Sequence, residues 1–125
     1  MLVDTDVIIW ALRGNKRATT TIDQADSLKL SVVSYMELLQ GARNKTDLRL
    51  TKAFLTDLGF AIVPLSENIG HRAAIYLEEY ALKSNLGVPD ALIAATAAEN
   101  ELILCTGNAK DYRAIEELEL KVFRP

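Results

Sequence analysis

The sequence predicts a single α/β domain in which short strands of a mainly parallel sheet alternate with helices. Three observations carry that expectation. The chain has 125 residues, 50% of them hydrophobic and 25% charged. Short apolar runs alternate along it with longer stretches of helical period, the pattern of strand–helix units around a parallel sheet. No repeat, low-complexity tract or Pro/Gly/Ser linker divides it, and Pro64, Pro89 and Pro125 are scattered, so residues 1–125 form one domain. A domain of this size removes roughly two thirds of its unfolded surface from water, enough for a core without disulfides or a structural metal.

In chain order, Met1 to Val3 forms the first strand and Val7 to Leu12 a helix that Asp6 is placed to cap. Leu28 to Val33 is the second strand. Ser34 then opens a helix that runs through Leu38 and Leu39 and ends at Gly41. Ser34 and Glu37 have the spacing of a capping box, which puts Glu37 in the first turn. Leu48, Thr51, Phe54, Leu55 and Leu58 mark the apolar stripe of another helix, stopped by Gly59. After the strand Phe60 to Val63, the longest helix runs from Glu67 to Lys83, with Ile69, Ala73, Tyr76, Leu77, Tyr80 and Ala81 on one face. Pro89 suits the first turn of the next helix, which is Ala-rich through Ala98 and able to lie close to the sheet. Leu102 to Cys105 and Leu120 to Phe123 complete the sheet, and Asn108 and Asp111 repeat the N-cap and N3 spacing ahead of Tyr112.

Composition narrows the function classes. Cys105 is the only cysteine, so no intrachain disulfide forms and a reducing compartment is expected. Leu2 and Val3 run straight into Asp4 and Asp6 rather than into a leader, and no apolar run approaches the roughly 20 residues of a membrane span. A cytoplasmic protein is expected. The formal net charge of −3 means that any nucleic-acid contact relies on local basic groups or on a metal. With one histidine and one cysteine, His/Cys zinc sites are excluded, and His71 lies in a helical stripe with no nucleophile motif nearby.

Ligands of open α/β sheets sit at the carboxyl ends of the strands, near the point where strand order reverses. Asp4 and Asp6 directly follow the first strand, Glu37 the second, Asn108 and Asp111 the fourth, and Asp90 opens the helix that feeds the fourth. If the first strand is central, these side chains share one cleft. Packed carboxylates do not all stay ionised without a counter-charge, and a divalent cation supplies one. Mg²⁺ or Mn²⁺ takes oxygen ligands and keeps several waters, so two or three acids hold it, and it suits phosphodiester hydrolysis. Capping accounts for Asp6, Glu37, Asp90 and Asn108 taken singly. Asp4 resists that explanation most, because a charged residue after an apolar strand needs something cationic to meet it.

Together these residues resemble the PIN domain, in particular the toxin nucleases of VapBC-type toxin–antitoxin pairs. The matching stretches are LVDTDVIIWAL at Leu2 to Leu12, SVVSYMELLQGAR at Ser31 to Arg43, VPDALIAATAAENELILCTGN at Val88 to Asn108, and the AKDY that follows. The resemblance implies a three-layer α/β/α sandwich with a mainly parallel five-stranded sheet. It implies an endoribonuclease in which Asp4, Glu37 and Asp90 bind Mg²⁺ or Mn²⁺ and activate water. Asn108 stands at a fourth, usually acidic place, where an amide ligates or orients water but adds no charge; Asp111 stands where the family often has another acid. Thr106 matches a threonine or serine able to hydrogen-bond an acidic ligand. Also implied are a homodimer and a small antitoxin that covers the cleft, with apolar residues of the Leu48 to Leu58 helix free to serve either contact.

For an RNA substrate, Arg13, Lys16 and Arg17 near the first helix, and Arg43, Lys45, Arg49 and Lys52 after Glu37, are candidate backbone grips, though such charges also solvate helix faces. Trp10 and Tyr35 flank the acids in sequence and are expected as core or interface residues rather than base-stacking platforms. Two alternatives remain at this point. One is a PIN-like module that binds RNA or a partner without cutting. The other is a receiver-like signalling domain, whose acceptor Asp and late Lys find Pro64, Leu65 and Ser66 after the third strand instead.

Overall fold

Five strands and seven helices alternate along the computed structural model, which describes residues 1–125. In order they are β1 (Leu2–Val3), α1 (Thr5–Leu12), α2 (Lys16–Asp23), β2 (Lys29–Ser31), α3 (Val32–Gln40), α4 (Lys45–Asp57), β3 (Ala61–Val63), α5 (Glu67–Tyr80), α6 (Val88–Glu99), β4 (Leu104–Thr106), α7 (Ala109–Tyr112) and β5 (Leu120–Val122). The sheet has the order β3-β2-β1-β4-β5 with every pair parallel. Parallel neighbours need crossover connections, and these cover both faces with helices.

The two-residue period of the strands sorts side chains into two cores. Leu2 and Leu104 face one layer, where they pack with Ile69, Ala73 and Tyr76 of α5 and Ile93 and Ala94 of α6. Val3, Leu30 and Cys105 face the other, against Val7 and Ile8 of α1, Ile22 of α2 and Leu55 of α4. Two cores on opposite faces of one sheet make the three-layer α/β/α sandwich the sequence predicted. α6 is buried almost all round, at Ala91, Ile93, Ala94, Ala95, Thr96 and Ala97, which is why it is apolar without a polar stripe.

The chain lays β1, β2 and β3 outward to one edge, then returns across the sheet to place β4 and β5 on the other side of β1. The gap between the ends of β1 and β4 is therefore the topological switch point. Leu2 pairs with Leu104 and Val3 with Cys105, so Asp4 emerges beside Thr106.

Several boundaries differ from the sequence reading. The second strand ends at Ser31, not Val33, because the Ser31 hydroxyl accepts the Val33 N–H at 3.1 Å and caps α3, drawing Val32 and Val33 into the helix against their β propensity. Ser34 is thus not the cap. It lies in the first turn, and Glu37 lies one turn further along than expected. The longest helix ends at Tyr80 rather than Lys83, where the Ser84 hydroxyl donates to the Tyr80 carbonyl at 3.0 Å. α2, absent from the sequence reading, begins at an Asn15 cap whose side chain accepts the Ala18 N–H at 2.9 Å. Gly14, at φ +82°, breaks the chain away from α1, a conformation that favours glycine.

The Ser34 hydroxyl is buried without a hydrogen-bond partner. Such a group carries its desolvation cost uncompensated, so Ser34→Ala is expected to raise unfolding free energy by about 0.5–1 kcal/mol. A lower urea midpoint for the alanine variant would show that the hydroxyl has a partner.

Candidate active site

Asp4 is the first residue past β1 and is 4% exposed. One oxygen caps α1, accepting the Thr5 N–H at 2.8 Å. The other, Oδ2, accepts from the Thr106 hydroxyl at 2.8 Å and lies 3.1 Å from the Tyr112 hydroxyl. Asp6 is therefore not the cap of the first helix: that helix starts at Thr5, and Asp6 sits in its first turn, accepting from its neighbour Val7 N–H at 2.9 Å and from Gly107 N–H at 2.9 Å.

Tyr112 is fully buried, and its hydroxyl also lies 3.2 Å from Asp90 Oδ1. It has one hydrogen for two carboxyl groups. Asp4 from the centre of the sheet and Asp90 from the first turn of α6 are thereby tied through one phenol. Glu37, exposed on the second turn of α3, is tied to the same place by the Thr5 hydroxyl, which donates to its Oε1 at 2.8 Å. Asn108 precedes α7 but makes no side-chain cap; its N–H donates to Thr106 Oγ1 at 3.0 Å. Asp111, in the first turn of α7, lies close enough to Asp90 for its charge to be felt there.

The electrostatics follow from burial. Desolvation first, then the charge of Asp6, pushes the Asp4 carboxyl up to about 7 against the bonds from Thr106, Thr5 and Tyr112. Burial raises Asp6 and Asp90 as well, the latter further through the charges of Asp111 and Glu37. No basic side chain answers them, since the ion pairs are Arg43–Asp47, Arg72–Glu99 and Arg72–Glu117, all elsewhere. As the side chains stand, no three of His, Cys, Asp or Glu close on a common point. Asp4, Glu37 and Asp90 are gathered at one end of the sheet and linked through Tyr112 and Thr5, not packed around one atom. An all-oxygen, uncompensated donor set on three elements is chemically of the kind a hydrated divalent cation such as Mg²⁺ takes, and Asp4 and Asp90, tied through Tyr112, are the pair that could hold one.

Tyr112, Thr5 and Gly107 were not singled out as functional from sequence. Thr5 and Tyr112 lie inside the matched stretches, and their hydroxyls are the available signal. Gly107 leaves the room Asp6 occupies: a Cβ there would sit 2.5 Å from Asp6 Oδ2, so the Asp6 side chain would have to move. Gly107→Ala is expected to turn Asp6 away, break its bond from the Gly107 N–H and lower stability by about 1 kcal/mol in urea unfolding. An unchanged midpoint would contradict this contact.

The PIN domain model matches residues 1–118. The chain belongs to the PIN domain family. Its relatives include a protein named Ribonuclease VapC10 from Mycobacterium tuberculosis, 34% identical over 123 residues that cover 95% of this chain and 90% of the relative. Among solved structures, a toxin–antitoxin complex from Klebsiella pneumoniae superposes with a TM-score of 0.80 at 30% identity, covering 94% of this chain and 93% of that one. VapBC2 from Rickettsia felis, bound to a DNA fragment from its promoter, shares the fold at TM-score 0.83 and 20% identity over 98% of both chains. This PIN domain thus has the family's sheet and layers, and the receiver-like alternative has no support left.

Proposed function

We propose that this PIN domain is a metal-dependent endoribonuclease, the toxin of a toxin–antitoxin pair, that hydrolyses RNA phosphodiester bonds to leave 5′-phosphates. One observation carries the reading: acids from three elements gather at the switch point, with Asp4 buried, pushed up to about 7 and unanswered by any cation. Relatives named as ribonuclease VapC and as part of a toxin–antitoxin complex support it.

In this reading Asp4 and Asp90 hold Mg²⁺ or Mn²⁺. When bound, the ion supplies a water of lowered pKa and positive charge against the charge developing on the phosphate. Glu37, at the exposed mouth, orients or deprotonates the attacking water, and Thr5 fixes its carboxylate. Thr106 and Tyr112 hold Asp4 Oδ2 while the Thr5 N–H holds its other oxygen, which fixes the carboxylate at the end of β1. Asp6, held by Gly107, and Asp111, beside Asp90, add negative charge around the centre, while Asn108 orients without charge. The antitoxin has a fitting berth in the groove of about 650 Å³ between α1, α3 and α4, lined by Ile9, Leu12, Leu38 and Leu50 and reaching Glu37. Trp10, 37% exposed on α1, is at the surface rather than in the core, as an interface residue would be. A homodimer in the cytoplasm completes the proposal; no helix is long and apolar enough to cross a membrane.

The test is cleavage of a mixed RNA pool by the isolated chain with Mg²⁺ or Mn²⁺. Cleavage with 5′-phosphate ends that stops in EDTA supports the reading, and cleavage indifferent to EDTA overturns it. Because no three acids converge on one point, a second reading stands beside the first: a module that binds metal and RNA without cutting, indicated by Mn²⁺ binding with no turnover on any RNA.

A further inference from the structure

Two shallow grooves of about 340 and 380 Å³ run along the β5 edge of the sheet and share Val122, Phe123 and Arg124. Lys16 and Arg17 from α2, Lys110 and Arg113 on and after α7, Lys121 on β5 and Arg124 line them. All six are exposed, and none takes part in an ion pair. No Asp or Glu lines either groove, in a chain with 17 acids and 14 bases. Chain positions far apart have therefore been folded into one acid-free cationic strip that net charge conceals.

The strip ends at the carboxylates. Gly107 lines the second groove, and its N–H donates to Asp6 Oδ2 at 2.9 Å. A phosphodiester approaching a centre of unneutralised acids is repelled, so it has to be held by cations beside that centre. The other basic groups suit this less well: Arg43 is bonded to Asp47 at 2.9 Å, Arg13 lines the separate groove between α1, α3 and α4, and Arg49 and Lys52, candidate grips by sequence, lie on α4 and line neither groove of the β5 edge. The strip has no exposed aromatic on which a base stacks, because Phe123 is buried. Unpaired cations without an exposed aromatic beside them select a polyanionic backbone rather than its bases.

We propose that the β5 edge, with α2 and α7, is the surface that holds the RNA backbone and leads it to the carboxylates, an inference resting on the nuclease reading above. Contact is through phosphates, so it carries affinity and little sequence preference.

The experiment measures binding of a labelled single-stranded RNA to the isolated chain in EDTA, where nothing is cut, across a salt series. Three charge-reversal variants are compared: Lys121→Glu with Arg124→Glu on the edge strand, Lys16→Glu with Lys110→Glu on the flanking helices, and Arg49→Glu with Lys52→Glu on α4 as a control of equal charge. Each of the first two is expected to lose about tenfold or more in affinity and to flatten the log–log salt dependence by about 1.4, since each of the two lost phosphate contacts on a single strand removes about 0.7. The α4 pair is expected to change affinity less than about threefold. In Mg²⁺, the edge variants raise KM and leave kcat within about twofold. Unchanged affinity and slope in both edge variants, losses as large in the α4 pair, or tighter binding to duplex DNA than to RNA would each overturn the proposal. Failure of the parent reading looks different: the edge variants lose RNA binding, yet the unaltered chain cuts nothing in Mg²⁺.

Discussion

Asp4→Asn is expected to reduce metal-dependent RNA cleavage by on the order of 100-fold or more and, at the same time, to make the metal-free protein harder to unfold above pH 7. The two effects share one cause. Burial pushes the Asp4 carboxyl up to about 7, so at pH values between its unfolded value near 3.8 and that figure the folded chain keeps a proton the unfolded chain has released. Stability of the metal-free protein therefore falls as pH rises through this window, and above it the buried carboxylate costs up to about 4 kcal/mol. Asparagine caps a helix as well as aspartate and carries no charge to desolvate. Its amide is able to donate to the Thr106 and Tyr112 oxygens, and losing the anion at the α1 N-terminus offsets only part of the gain. A net stabilisation of about 1–3 kcal/mol at pH 8, shrinking toward pH 4, is the expected result of denaturant titrations. An asparagine variant less stable than the parent at pH 8 would mean that Asp4 is charged and satisfied without metal.

Tyr112 separates packing from chemistry. Tyr112→Ala removes the largest of the fully buried side chains and is expected to cost about 3–5 kcal/mol. Tyr112→Phe keeps the ring and removes only the hydroxyl that lies 3.1 Å from Asp4 and 3.2 Å from Asp90. That hydroxyl lowers both carboxyl pKa values, so without it Asp4 and Asp90 hold their protons to higher pH. Protons compete with metal for the same oxygens, and the pH at which Mn²⁺ binds should move upward in the phenylalanine variant while its thermal stability stays near that of the parent. Mn²⁺ binding with the same pH midpoint in both proteins would remove Tyr112 from the site.

The placement of Asp4, Asp6 and Asp90 was legible in sequence because each follows a strand or opens a helix, and the sheet order put β1 in the middle as those positions required, whereas Glu37 sits on the second turn of α3. Their tethers were not. Thr5, Tyr112 and Gly107 act through hydroxyls and one amide whose partners lie 22 to 108 residues away, a separation no local spacing reports. Ser31 and Ser34 illustrate a nearer ambiguity. Both stand three or six residues before Glu37, and propensity favoured strand through Val33. The choice fell to Ser31 because its own hydroxyl reaches the Val33 N–H. α2 escaped because its core contacts are only Ala18 and Ile22, too few to stand out among polar neighbours. The basic strip escaped for the opposite reason: its members come from three places in the chain and meet only once β5 is docked.

Mn²⁺ titration calorimetry on the RNA-free protein, its Asp4→Asn and Asp90→Asn variants, and Asp47→Asn as a control tests the shared ion most directly. The account predicts a site in the parent and the control that is weakened about tenfold or more by either substitution at the switch point. Equal affinity in all four proteins would contradict it.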